Sequence, residues 1–297
     1  MERLKRLITN LALCQTLLVA GAPVAAQSSA SELGERGLWT VGVSTLTDDE
    51  SSSHLGVSFD VAAARSTWVS LLAATSRSPR ERADISADTV AVGIDHRFGL
   101  VGIRAGAERW GDSGAIESTD LLAGVYLRTD RISVALGFEQ RDIDLTTTLS
   151  GPNDRVFSRT VPLSADGASL DIRLRASDRV QIRFGVEAFD YPPGLALLPR
   201  IDALNLLSAS TLTLANSFVS DARYLAVDVE LGAKVLSLGL LEDESAIDHS
   251  ELDSIDAALL IPVGRRFDLE ISLGRSNPAL FDSGFYAGIL LLVYGGG

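Results

Sequence analysis

The sequence predicts an all-β fold: a transmembrane antiparallel up-and-down β-barrel of about fourteen strands, with twelve and sixteen as the alternatives. Three observations lead there. Six times, two stretches with apolar residues at alternate positions flank a tight break carrying a basic residue, at Arg65, Arg97, Arg131, Arg179, Lys234 and Arg266. The chain opens with a leader of the export type. Long connections rich in acids, hydroxyls, Gly and Pro alternate with the tight breaks. A closed sheet is the β-architecture that lipid tolerates, because each unpaired backbone N–H or C=O costs several kcal/mol in hydrocarbon.

In chain order, Arg3, Lys5 and Arg6 precede the apolar run Leu7 to Ala22 and the small-residue site Val24-Ala25-Ala26. This reads as a signal peptide over 1–26, followed by a short periplasmic segment over 27–37 and the barrel over 38–297. The run carries Thr9, Asn10, Gln15 and Thr16 and falls short of the ~20 apolar residues that a membrane helix needs. The single cysteine, Cys14, lies in the leader, so the mature chain has no thiol or disulfide chemistry. Net charge is −13. Removing the leader, net +2, gives −15, which argues against nucleic acid as a partner.

The hairpins follow. Val90, Val92 and Ile94 before Arg97-Phe98-Gly99, then Val101, Ile103, Ala105 and Ala107, give one apolar face opposed by Gly102, Arg104, Gly106 and Glu108. Leu121 to Leu127 and Ile132 to Phe138 repeat the pattern about Arg131, with Arg128 and Glu139 on the polar register. Leu170, Ile172 and Leu174 meet Val180, Ile182, Phe184 and Val186 across Ser177-Asp178-Arg179, opposed by Asp171, Arg173, Arg175, Arg183 and Glu187. Leu225 to Leu231 opposes Asp228 and Glu230, and Phe267 to Leu273 opposes Asp268 and Glu270. Alternation alone also fits a soluble sandwich. Short turns on one side with long loops on the other select the membrane form. Six hairpins give twelve strands, and pairing Leu38–Leu46 with Phe285–Tyr294 seals a ring of fourteen. The interval from Arg179 to Lys234 holds a surplus, Tyr191 to Ser220, in which Leu197, Ile201, Leu204 and Leu207 follow a helical spacing. That segment is read three ways: folded into the barrel, packed on its rim, or forming one more hairpin.

The pattern resembles the Gram-negative outer-membrane porin class over the mature chain, without matching one family. Trp68, Phe98, Phe267 and Tyr294 near the short turns, and Trp110, Phe189, Tyr224 and Phe285 near the long loops, read as two interfacial belts. The stretch ending in Tyr294 looks like the terminal aromatic signal used by the barrel assembly machinery, with Gly295-Gly296-Gly297 as a departure. The resemblance implies location in the cell outer membrane, among its lipid and lipopolysaccharide.

The inward register places Arg104, Glu108, Arg128, Glu139, Asp171, Arg173, Arg175, Arg183, Glu187, Asp228, Glu230, Asp268 and Glu270 in the lumen. In a wide barrel they bias which ions and solutes pass; in a narrow one they pair into a salt-bridged plug. Gly102, Gly106, Gly137 and Gly185 leave room there or ease strand curvature. The expected function is a passive diffusion channel for small hydrophilic solutes or ions, without cofactor, metal or catalytic residues. The alternatives are a barrel displaying an acidic loop, Glu242 to Asp253, to a partner, and a hydrolase built on His54 or His249 in long-loop regions with Ser53 and Asp60, or Ser250 and Asp248.

Overall fold

The computed structural model describes residues 38–49, 51–78, 85–112, 116–150, 156–192, 218–246, 249–278 and 283–296. The leader and the segment after it, the middle of the Tyr191–Ser220 stretch, and Asp248 lie outside the described residues.

Fourteen antiparallel strands form one closed barrel. They are β1 (Trp39–Asp48), β2 (Ser53–Ala64), β3 (Thr67–Ser78), β4 (Ile85–Phe98), β5 (Val101–Asp112), β6 (Ile116–Arg128), β7 (Ile132–Ser150), β8 (Val156–Ser177), β9 (Val180–Asp190), β10 (Val219–Leu231), β11 (Lys234–Ser245), β12 (Glu251–Pro262), β13 (Phe267–Pro278) and β14 (Gly284–Gly295). Each pairs with its sequence neighbours, and β1 closes on β14 from Trp39 opposite Gly295 to Asp48 opposite Tyr286. Closure by the two ends is the seal the alternation predicts. β9 pairs directly with β10 from Val180 opposite Val229 to Ala188 opposite Asp221, so no further hairpin enters the ring there. That removes the sixteen-strand alternative.

Alternation explains why the ring faces lipid. Val90, Val92 and Ile94 of β4 are 62%, 47% and 46% exposed, while Ala91 between them is 5% exposed. The same two-residue rhythm exposes Leu121, Leu136, Phe138, Leu238, Ile255, Leu273 and Ile289. In water so continuous an apolar surface would aggregate; in hydrocarbon it is the surface required. A strand of 12 residues, such as β5, is about 40 Å long at ~3.3 Å per residue. Tilted ~40°, it crosses roughly the 30 Å of a bilayer core.

The tight turns share an end with both termini. Gly99 and Gly232 occupy two of them at φ of 69° and 71°, where a Cβ would be strained. Two breaks sit slightly away from the basic residue that marks them. Arg97 still belongs to β4, and Lys234 already opens β11. At the other end β7, of 19 residues, and β8, of 22, overhang their neighbours. β8 meets β9 only from Asp166 onward. Asp142 and Asp144 stand exposed on this extension.

Candidate functional site in the barrel interior

The strand registers put Arg104, Glu108, Arg128, Glu139, Asp171, Arg173, Arg175, Arg183, Glu187, Asp228, Glu230, Asp268 and Glu270 on the face opposite the exposed apolar side chains. Arg175 and Glu230 end near the tight turns and are exposed, whereas Glu108 and Asp268 are buried. Cation placement is lopsided. Inward arginines all come from β4 to β9, as Arg97, Arg104, Arg128, Arg141, Arg173, Arg175 and Arg183. Among the described residues, the inward positions of β10 to β14 and β1 to β3 carry no Lys or Arg.

The arginine-bearing half is tied together by ion pairs. Arg141 of β7 is the centre of a buried knot that the sequence reading stopped short of, although it lies two residues beyond Glu139 on the same face. Its Nη2 donates to Glu139 Oε1 at 2.6 Å, and its Nε stands 3.3 Å from Asp120 Oδ2 of β6. Its Nη1 donates to the Tyr191 hydroxyl at 3.0 Å, and its guanidinium lies 4.2 Å over the Phe189 ring. Trp110 Nε1 and Ser118 Oγ donate to the two oxygens of Asp120 at 3.0 and 2.5 Å. Glu108 and Glu187 stand within the electrostatic reach of this knot. A buried arginine needs such surroundings, since an unpaired buried charge is costly. Lower in the barrel, Arg104 Nη2 lies 3.8 Å from Asp171 Oδ2. Arg183 Nη2 donates to Asp228 Oδ1 at 2.8 Å, and its Nε is 2.8 Å from Oδ2.

Above the knot, Trp110, Ile116, Ile143, Leu145, Phe218 and Ala246 pack into a buried apolar cluster, with Leu163 and Tyr191 against it. Its members come from β5 to β8, from both flanks of the β9–β10 connection and, as Ala246, from just past the end of β11. The ends of that connection therefore turn into the barrel. Tyr191 and Phe218 rings are 6.2 Å apart, and Phe218 is 2% exposed.

The two aromatic belts require correction. Phe98, Phe267 and Phe285 do face outward, at 60%, 44% and 59% exposure. Trp68, Trp110, Phe189, Tyr224 and Tyr294 are buried instead, on the inward register. The reason is parity: their sequence neighbours hold the outward positions. Inward tyrosines lie over glycines of the next strand and reach the strand beyond. Tyr126 of β6 covers Gly102 of β5, and its hydroxyl donates to Asp95 of β4 at 2.7 Å. Tyr224 of β10 covers Gly185 of β9 and donates to Asp171 of β8 at 3.1 Å. Gly102 and Gly185 thus admit close approach of a ring rather than leaving open space, and a Cβ at either would strike that ring.

The acidic run expected as a loop is mostly strand. Glu242, Asp243 and Glu244 close β11, and Glu251 and Asp253 open β12, with Glu242 opposite Asp253 and Glu244 opposite Glu251. Asp243 faces inward and is buried, while Arg223 Nη1 donates to Glu242 Oε1 at 3.3 Å. His54 likewise leaves the loop: it opens β2, is buried, and shares a 2.8 Å hydrogen bond with Ser76 Oγ through Nδ1. Its Nε2 has no partner, and Asp60 instead accepts from Ser70 Oγ at 2.6 Å. His249 is bound to Glu244 Oε1 at 2.9 Å. The two histidines are thus engaged by Ser76 and Glu244, and no described His, Cys, Asp or Glu residues group as a metal site. His96 keeps the outward register, sharing a 2.7 Å hydrogen bond with Thr67.

No protein-family model matches the sequence, and no curated protein matches it. Solved structures do match in shape. CymD, a monoaromatic hydrocarbon channel, has TM-score 0.57 at 8% identity over 91% of this chain and 92% of its own. CdiB from Acinetobacter baumannii has TM-score 0.51 at 10% identity over 86% of this chain and 59% of its own. The NanC porin has TM-score 0.43 at 8% identity over 86% of this chain and 98% of its own. At such identities the likeness is one of fold: the chain has the closed antiparallel barrel of outer-membrane proteins, with the lipid-facing belt that membrane requires.

Proposed function

We propose that this barrel is a narrow channel through which small hydrophilic solutes or ions diffuse passively across the outer membrane. The observation that carries the reading is the sorting of side chains. Along the middle of its strands one closed ring turns apolar residues outward and arginines and carboxylates to the inside, and outward charges such as Arg109, Glu117, Arg223 and Glu242 stand only toward the loop end. Ionisable groups held in a ring of this size serve passage by replacing part of the hydration shell of a solute. The apolar cluster and the Arg141 knot occupy the loop end of the β5–β9 side, so the passage is restricted and admits small species only. CymD, a channel of the same fold, supports the reading without specifying a solute.

The leader over 1–26, removed on export, and insertion by the barrel assembly machinery belong to the same proposal. So does contact of the outer rim with lipopolysaccharide, whose anionic groups would meet Glu242, Glu244, Glu251 and Asp253 through bridging divalent cations. The test is reconstitution of the purified mature chain in planar bilayers. The expected result is stepwise, small conductance. A folded preparation that leaves the bilayer silent refutes the channel and favours a scaffold that displays its rim to a partner.

A further inference from the structure

The interior repeats one three-strand joint, and one copy of it is open. In Asp95–Gly102–Tyr126 and again in Asp171–Gly185–Tyr224, a tyrosine lies over the glycine of the next strand and its hydroxyl donates to the aspartate beyond. The third copy is Asp256 of β12, Gly274 of β13 and Tyr286 of β14. Its register is that of the second copy: Gly274 is opposite Tyr286 and Asp256 opposite Gly274, as Gly185 is opposite Tyr224 and Asp171 opposite Gly185. The Tyr286 ring again covers the glycine. Here, however, the hydroxyl has no hydrogen-bond partner, although Tyr286 is only 4% exposed and stands in the field of Asp256. Ser254, next along the inward face of β12 and 3% exposed, also has a hydroxyl oxygen without a partner.

Buried hydroxyls without partners are costly, and a tyrosine oxygen that is buried ordinarily finds one. An open joint that points two hydroxyl oxygens and a carboxylate into the interior therefore suits a guest that brings positive charge. The surroundings have the matching sign. This wall has no inward Lys or Arg among its described residues; Glu270, Asp256 and Asp228 share one field with Arg183 of β9, whose guanidinium is paired with Asp228, so carboxylates outnumber cations there. Three of the arginines on the opposite half are engaged by carboxylates: Arg141 with Glu139, Arg104 with Asp171 and Arg183 with Asp228.

We propose that the channel prefers cations, and that they pass along the β12–β14 wall by way of the open joint formed by Asp256, Tyr286 and Ser254. This rests on the channel reading and names its substrate class: a small monovalent cation, held by hydroxyl and carboxylate oxygens.

The experiment is a reversal-potential measurement on the full mature chain in planar bilayers under a KCl gradient, with Asp256→Asn, Tyr286→Phe and Glu242→Gln variants. The expected wild-type result is potassium passing severalfold more readily than chloride. Even at a separation of about 8 Å in a water-like dielectric one charge changes the entry of an ion by roughly two- to threefold, and direct contact with the carboxylate is closer, so Asp256→Asn should lower the permeability ratio by more than that factor. Tyr286→Phe keeps the ring on Gly274 and loses only the oxygen, and should lower potassium conductance while leaving chloride unchanged. Glu242→Gln, on the outer face, should alter neither. A conducting channel without cation preference, or a preference that survives both interior substitutions, overturns this inference and leaves the channel intact. If Asp256→Asn does not fold, the Tyr286→Phe result decides alone. Absence of any conductance overturns the channel and this inference together.

Discussion

Replacing Arg141 by Met tests the claim that an ion-pair knot braces one half of the barrel. The side chain is 9% exposed, and its removal strands two carboxylates, Glu139 at 15% and Asp120 at 5% side-chain exposure. Breaking a buried pair by deleting one partner costs about 3–5 kcal/mol, because the remaining charge keeps its desolvation cost and loses its attraction. The lost contact with the Phe189 ring adds about 1 kcal/mol. Trp110 and Ser118 still donate to Asp120 and reduce the total, so about 4 kcal/mol is expected. With a urea slope of roughly 2 kcal/mol per molar, the unfolding midpoint in lipid vesicles falls by about 2 M. Trp110 fluorescence is a suitable reporter, since its indole N–H is bonded inside the knot. Adding Glu139→Gln and Asp120→Asn to the same chain should recover most of the loss, because buried pairs replaced as a set are often close to neutral. A midpoint change below about 0.5 M for Arg141→Met, equal to roughly 1 kcal/mol, would show that water screens the knot and that it braces nothing.

Further substitutions probe other layers of the fold. Gly102→Ala drives a methyl into the Tyr126 ring and should cost about 1–3 kcal/mol of unfolding free energy, with Tyr126→Ala in the same chain restoring part of it. Leu136→Arg, on the lipid face, should destabilise by about 2–4 kcal/mol in vesicles if it lies near the bilayer midplane, whereas Leu136→Phe should be close to neutral. Phe218→Ala removes the largest fully buried side chain at the loop end, should cost about 3–5 kcal/mol, and should raise single-channel conductance by loosening the cluster that holds both ends of the β9–β10 connection.

The ring was legible in the sequence because its determinants are local. Alternation assigns faces within a strand, and a tight turn ties each strand to the next, so hairpins and the closure of Trp39 on Gly295 follow from period two. What stayed hidden depends on register between strands. Nothing in the order of residues announces that Tyr126 lies over Gly102 or that its hydroxyl reaches Asp95. The aromatic belts fail for a related reason: position along a strand does not decide the face, and Ile103 or Leu225 holds the outward register that Trp110 and Tyr224 therefore lack. Arg141 and Asp120 were within reach of the same parity argument that selected Glu139. The acidic run at Glu242 shows the opposite limit. Charge suggested a loop, while pairing of Glu242 with Asp253 and of Glu244 with Glu251 continues the ladder beyond the lipid belt.

A barrel with no cysteine in any of its fourteen strands must hold its cross-section by non-covalent ties. The ladder resists shear along the strands, but a ring can still flatten unless something spans it. The interior contacts on one side do so. Tyr126 reaches over β5 to β4, Tyr224 reaches over β9 to β8, and Arg104 of β5 approaches Asp171 of β8. Those ties skip strands, so they oppose bending of the wall, which bonds between adjacent strands do not. They also fill the space they cross. The remaining arc is built differently: Gly42, Ser44, Gly56, Ser58, Ser272 and Gly288 on its inward positions are too short to reach across anything, while Tyr286 and Tyr294 meet Gly274 and Asp268 of the adjacent β13. Bracing and passage are thereby assigned to different halves of one ring. A bracing residue such as Arg104 should affect stability more than ionic selectivity, and Asp256, on the unbraced arc, should do the reverse.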